Sequence, residues 1–185
     1  MINEIELVKG CKAGKEKYQK TLFQVFGKRV MGICIRYSNC KAEADDMFQE
    51  AFCMVFSQIH KLKKDTPLFP WIRRVTINVA INYYHKHKKH HGHFDVIDLD
   101  EPDGYADEAI EKLSTDQILS VIDELPEGYK MVFNLYVIEG YAHKEIAKML
   151  KITTSTSKSQ LLKGRRLLMK KLKSLGFLKY EKQIG

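Results

Sequence analysis

The chain has 185 residues, 44% of them hydrophobic and 29% charged, with a formal net charge of +8 and an isoelectric point near 9.2. That length suits one ordinary domain or two small ones, and the apolar content excludes a wholly disordered chain. The positive excess favours a polyanionic partner, nucleic acid or an anionic membrane surface, and is silent on fold.

The start, "MINEIELVKGCKAGKEKY", is charged throughout and lacks the apolar core of a signal peptide. No stretch approaches the roughly 18 apolar residues of a membrane span, so no membrane insertion is expected. Cys11, Cys34, Cys40 and Cys53 form no CxxC pair and no zinc-finger spacing. They are expected to be reduced thiols of a cytoplasmic protein, with no metal role.

Helical patterning begins at once. A first helix is expected from about Ile5 to Cys11 and a second from Lys15 to Tyr37. The third, about Lys41 to Leu62, is the clearest: Phe48, Ala51, Phe52, Val55, Ile59 and Leu62 fall on one face of a 3.6-residue period. Asp45, Asp46, Gln49, Glu50 and Ser57 lie opposite. That acidic side is either a solvated face or, because it would repel DNA on an otherwise basic chain, the seat of a protein partner. The segment "KLKKDTPLFP" then breaks the pattern with two prolines.

The fourth helix is "FPWIRRVTINVAINYYHKHKKHHGH", residues 69–93. At 100° per residue, Ile72, Val75, Val79 and Tyr83 fall within about 80° of one another and read as a core stripe. Trp71, Arg74, Asn78, Asn82, His85 and Lys89 form a second stripe that is aromatic, polar and basic along its whole length. A nucleic acid, a membrane surface or a metal site would each explain part of that combination. The blander alternatives stay open: Trp71 as a core aromatic, Asn78 as a buried amide satisfied locally. His85, His87, His90, His91 and His93 sit among lysines that repel a cation, so a basic, phosphate-seeking helix end is expected rather than a metal site.

From Phe94 to Glu111 there are eight acidic residues and no Lys or Arg. With Pro102 and Gly104 and no sustained period, this reads as an acidic flexible linker. Helices resume from Ser114 to about Glu124 and again from Pro126 to Gly140, where proline suits a first turn and glycine a stop. A short helix, His143 to Leu150, the turn "KIT" and a longer helix, Thr154 to about Leu172, make a helix-turn-helix. Ile146, Ala147 and Leu150 fit the first helix's core, Ile152 the turn, Leu161 and Leu162 the second helix. From Lys158 to Lys182 there are nine Lys or Arg against the single acid Glu181. A basic second helix favours DNA by counterion release, and the hydroxyl-rich Thr153–Ser159 adds donors and acceptors for phosphates and base edges. No GxGxxG, P-loop, nucleophile elbow or His-Glu zinc motif appears, so no enzymatic activity and no cofactor are expected.

Taken in order, these pieces resemble the extracytoplasmic-function group of the sigma-70 family, the dissociable promoter-specificity subunits of bacterial RNA polymerase. "EADDMFQEAFCMVF" looks like the acidic helix of sigma region two, and "FPWIRRVTINVAINYYHKHKK" like the next helix of that region. "LPEGYKMVFNLYVIEGYAHKEIAKML" with "KITTSTSKSQLLKGRRLL" looks like region four. The resemblance covers about residues 10–172. It implies an all-α chain of two small helical domains: a region-two domain at 1–92, the acidic linker at 93–113, and a region-four helix-turn-helix domain at 114–185.

It also implies partners and sites. Asp45, Asp46, Gln49 and Glu50 would dock on the polymerase β′ coiled coil, with the β flap as a further contact. Lys61, Lys63, Lys64, Trp71, Arg73, Arg74, Asn78, Asn82 and Lys86 would recognise and open the −10 element by holding unpaired bases. Trp71, Tyr83 or Tyr84 would stack, Asn78 and Asn82 would bond base edges, Arg73, Arg74 and the lysines at 86, 88 and 89 would hold phosphates, and Asn78 with the loop Lys61–Leu68 would pocket a flipped base. Thr154, Ser155, Thr156, Lys158, Ser159, Gln160, Lys163, Arg165 and Arg166 would meet the −35 element. Promoter DNA and an anti-sigma factor complete the expected partners. The chain departs from the family, which usually has glycine where Lys151 is, a valine near Ser157 and an arginine near Gln160, so −35 base preference does not carry over. Two rival readings remain at this point: a helix-turn-helix transcriptional regulator with an effector-sensing helical N-terminal domain, and a metal-binding protein using the histidine run.

Overall fold

Helical spacing of apolar residues runs through both halves of the chain, and both halves fold as helices. The computed structural model describes residues 3–63, 66–91 and 115–176, with no strand among them. The chain divides into two compact units, Met1–His87 and Lys88–Gly185. The expected linker at 93–113, the tail beyond residue 176, Lys64 and His93 lie outside the described residues, as do the side chains of Lys89, His90 and His91.

In the first unit, α1 (Glu4–Lys12) starts where the Asn3 side chain accepts the Ile5 N–H at 3.1 Å. Glu4 and Glu6 in its first turn and Lys9 and Lys12 in its last suit the helix dipole. A Cβ on Gly10 would lie 2.1 Å from Cγ of Tyr18, so only glycine lets α1 approach α2 (Glu16–Tyr37) this closely. Ser38–Cys40 joins α2 to α3 (Lys41–Gln58) as a helical hairpin. Phe23 of α2 packs on Phe48 and Phe52 of α3 with ring centroids 5.5 and 4.8 Å apart, and buried Leu22, Val30 and Ile33 share this core with Ala44, Met47, Ala51 and Val55.

Two details of α3 differ from expectation. Met47 is buried and Phe48 only half-buried, because the inward face is centred nearer Ala51 than Phe52. The α-helix stops at Gln58 rather than Leu62. Ile59–Lys61 tightens into a 3₁₀ turn closed by the Leu62 N–H on the Ile59 carbonyl at 3.1 Å, a common way for the last turn to satisfy its own carbonyls.

The fourth helix, α4 (Leu68–His91), is buried almost all the way round at its middle. Val75, Thr76, Ile77, Val79, Ala80 and Ile81 are all buried, and the Thr76 hydroxyl donates to the Ile72 carbonyl at 3.0 Å. The expected core stripe named Tyr83. Tyr84 is the buried tyrosine, at 3% exposure, while Tyr83 is half-buried. A central helix has no single inward face, so a one-stripe reading misplaces residues near its edge.

In the second unit, α5 (Thr115–Asp123) leads through Leu125 to α6 (Glu127–Phe133), which continues into a π turn, Asn134–Ile138. The expected single helix to Gly140 therefore changes pitch at Asn134; Gly140 still ends it, with φ +79°. A short α7 (His143–Leu150) and a long α8 (Thr154–Ser174) follow, separated by Lys151–Thr153. Val121, Ile122 and Leu125 pack with Leu168 and Leu172 of α8. Lys130, 4% exposed, reaches Asp123 at 3.0 Å, and Lys171 pairs with Glu124. Leu161 is buried as expected, but Leu162 is 52% exposed: the inward stripe of α8 runs through Leu161, Gly164, Leu168 and Leu172, and Leu162, a further 100° round, falls outside it.

Candidate nucleic-acid and polymerase interfaces

The acidic side of α3 is two rows with different surroundings. Asp46 and Gln49 are open, with exposed Cys53 continuing their row, and Asp45 is half-buried beside them. Glu43 and Glu50 face α4 instead. The Glu43 carboxylate lies 3.2 Å from Nε2 of His87 and accepts the Asn39 N–H at 2.7 Å. Burial, then the carboxylates of Glu50 and Asp46, then a hydrogen bond to Glu50, push the Tyr83 phenol above its ordinary range. Of the four expected polymerase-facing residues, Glu50 is thus partly engaged within the unit.

On α4 the open residues among those described are Pro70, Arg74, Asn78, Asn82 and Lys86, spaced four apart in one row. Half-buried Trp71 stands at its head. Adjacent members lie ~6 Å apart along the axis at 1.5 Å per residue. The Lys86 ammonium sits 4.9 Å over the Tyr83 ring. Tyr84 is buried, and Tyr83 is half-buried beside the carboxylates of α3 with its ring under Lys86 at the far end of the row from Trp71. Asn78 is exposed, so the buried-amide alternative does not apply. Arg73 turns away from the row and is half-buried. Lys61 and Lys63 are exposed at the start of the loop before α4.

That loop is held at both ends by α1, which the sequence did not suggest. The Lys12 ammonium donates to the Leu62 carbonyl at 2.6 Å, and the Glu4 carboxylate accepts the Leu68 N–H at 2.7 Å. The second bond also places a negative charge at the positive end of α4.

In the second unit, Lys151 adopts φ 53°, ψ 47°, the left-handed conformation that glycine adopts freely, and the Ile152 N–H closes on the Ala147 carbonyl at 3.0 Å. The Thr153 hydroxyl caps α8 by accepting the Thr156 N–H at 2.9 Å. Thr154, Ser155, Lys158, Ser159, Leu162 and Arg165 share the open face, with Arg166 and Lys163 half-buried toward one side. Two expected readers do not share it. The Thr156 hydroxyl is 2.7 Å from that of Thr153, and Gln160 turns inward, its buried Oε1 finding no hydrogen-bond partner among the described residues. Leu162 joins the face instead, an apolar group suited to a thymine methyl.

Residues 22–90 match Sigma-70 region 2, and residues 115–168 match Sigma-70, region 4. The chain belongs to the extracytoplasmic-function sigma factors of the sigma-70 family. This sigma factor is 23% identical over 186 residues to the ECF RNA polymerase sigma-E factor of Haemophilus influenzae, with 91% of this chain and 95% of that protein covered. It is 22% identical over 181 residues to the RNA polymerase sigma-H factor of Pseudomonas aeruginosa, covering 92% and 94%. Its fold is shared with CnrH, solved in complex with the cytosolic domain of CnrY, at TM-score 0.51 and 16% identity over 92% of this chain and 97% of that one. It is likewise shared with the sigma factor RpoE in complex with the anti-sigma factor NepR from Bartonella quintana, at TM-score 0.52 and 16% identity over 83% and 96%.

The sigma factor directs transcription initiation by RNA polymerase, is non-catalytic, and binds RNA polymerase and DNA. The rival reading of a regulator with an effector-sensing N-terminal domain falls, because most of that half matches region 2. Among the described residues no group of three or more His, Cys, Asp or Glu is placed to hold a metal ion, and no helix is long and apolar enough to cross a membrane.

Proposed function

We propose that this sigma factor, working in the cytoplasm, docks on the β′ coiled coil of core polymerase through the open row of α3. In that arrangement α4 holds separated strands of the −10 element, and α8, seated beside the β flap, reads −35 duplex. The observation that carries this reading is the row Arg74–Asn78–Asn82. It is open on a helix otherwise buried at mid-length, with Trp71 at its head. Packing does not require these amides and this charge. Unpaired bases do use such a set, through stacking, edge hydrogen bonds and phosphate contacts. An anti-sigma factor is proposed as a further partner by analogy with the NepR complex of the related fold.

The test is reconstitution. Core polymerase with this chain should start transcription at a defined set of genomic sites, with permanganate-reactive thymines just upstream of each. Asp46→Lys should weaken core binding in a titration while thermal unfolding stays unchanged, since Asp46 is exposed. Core affinity equal to the parent's would remove α3 as the docking face, and starts without reactive thymines would remove the opening role.

A further inference from the structure

His143 is the first residue of α7, and its ring joins three elements. Nδ1 lies 2.9 Å from the Ser157 hydroxyl of α8, and the ring stacks on Tyr136 of the π turn with centroids 4.4 Å apart and planes at 20°. Ser157 is 0% exposed. A buried hydroxyl without a partner is costly, so the serine makes sense only with the imidazole beside it. We propose that His143 is a positioning residue of the −35 reader, setting α8 against α7 through Ser157, and that it takes up a proton when α8 seats on DNA. This rests on the reading of α8 as the DNA-facing helix.

The charged surroundings give the direction. From α8, Lys158 and Arg165 face the ring; from the π turn, Tyr136 does; on α7 itself the neighbours are Lys144 and Glu145, whose carboxylate already accepts the Ala142 N–H at 2.9 Å. Burial first, then the two α8 cations, hold His143 below the ordinary histidine range in the free protein. Lys158 and Arg165 also lie on the open face of α8. When DNA phosphates neutralise them, their repulsion disappears and the phosphates themselves favour an imidazolium. The site can hold that charge: Ser157 Oγ accepts from Nδ1–H as readily as it donates to bare Nδ1, and a cation on the Tyr136 ring is attracted to its face.

The sign follows. A group whose midpoint rises on binding tightens binding as pH falls. The gain is absent above the DNA-bound midpoint, grows between the two midpoints and is complete below the free one. A rise of about one unit multiplies affinity by about tenfold at most.

The experiment follows the His143 imidazole by NMR in the full chain, with pH varied, free and with a short mixed-sequence duplex at low salt, where phosphate contacts suffice for binding. The His143 midpoint should be low in the free chain and rise with DNA. His143→Gln keeps an amide to bond Ser157, so it should stay folded and lose only the His143 part of the pH-dependent affinity. Comparing it with the parent subtracts the other histidines. Ser157→Ala should weaken DNA binding, because the setting of α8 against α7 is lost, and should also lose the fixed ring tautomer; binding as tight as the parent's would remove the positioning role. If α8 amides shift on adding DNA while the His143 midpoint stays put, this inference is wrong and the −35 reading stands. If α8 amides do not move at all, the −35 reading fails and this inference fails with it.

Discussion

The two helices proposed to meet DNA solve opposite problems. α4 is enclosed on nearly every side and leaves open one row of polar side chains, whereas α8 buries one stripe and opens a broad face of hydroxyls, cations and one leucine. An enclosed helix cannot shift to accommodate a partner, so its row suits a few groups presented one at a time, as unpaired bases are. An amphipathic helix with spread charge suits a duplex, where regularly spaced phosphates supply most of the affinity and fix register. The difference teaches that charge density and rigidity are separate means of recognition, and each helix relies chiefly on one.

Salt should separate them most strongly. If Lys158, Lys163, Arg165 and Arg166 each neutralise one phosphate, binding of duplex should weaken roughly a hundredfold between about 50 and 200 mM salt. Replacing Lys158 and Arg165 by alanine should flatten the log–log slope by about 1.8. An unchanged slope in fluorescence anisotropy would place the phosphate contacts elsewhere and blur the contrast.

The counterpart on α4 is Asn78→Ala. A good base-edge contact is worth about 1–3 kcal/mol, so open complex should fall by roughly five- to 150-fold. Asn78 is exposed, so folding and core binding should not change. The salt slope should not change either, because no charge is lost. A template already unpaired at the −10 element should restore activity only partly, since the base contact is still missing. Permanganate footprinting reads this directly, and opening equal to the parent's would make the row a solvated surface.

How much of this was legible beforehand depended on how many faces a helix buries. The bounds of α7 and the start of α8 could be read to the residue, because a short amphipathic helix, a three-residue turn and a threonine cap each leave a local mark. Tyr83 was misplaced because periodicity assumes one buried face and α4 has nearly none exposed. Leu162 and Gln160 stand 100° to either side of buried Leu161, at the two edges of the inward stripe of α8, and periodicity alone does not say which edge turns inward. The bonds from Lys12 to Leu62 and from Glu4 to Leu68 span 50 and 64 residues, and no short-range pattern records them.

Those two bonds offer a smaller test of rigidity. They anchor the loop before α4 at both ends, and each involves a charged partner, about 1.5–3 kcal/mol when shielded and less here because Glu4 and Lys12 are exposed. Glu4→Gln keeps an acceptor and removes the charge. It should slow promoter opening by about threefold, with core affinity unchanged and the salt slope of duplex binding untouched. Glu4→Asp should recover little, being one methylene shorter. If Glu4→Gln opened promoters at the parent's rate, α4 would not depend on α1 for the setting of its loop.

The smallest expected effect concerns Lys151, on the other side of the comparison. Its φ of 53° places a side chain in the left-handed region, at a cost of about 1 kcal/mol that glycine would not incur. Glycine would in turn loosen the unfolded chain and give back part of that gain. Lys151→Gly should therefore stabilise the second unit by about 0.5 kcal/mol, a rise of some 2–4 °C in its melting temperature. Lys151 is exposed and lies between the two helices of the reader, where its charge can meet a phosphate. If it holds a phosphate, the glycine variant should be the more stable protein and the weaker binder, with the salt slope lowered by about 0.9. A variant that is more stable and binds duplex as tightly as the parent would leave the lysine without a role at the turn. One that is less stable would mean that the Lys151 side chain packs on the unit in a way its exposure does not suggest.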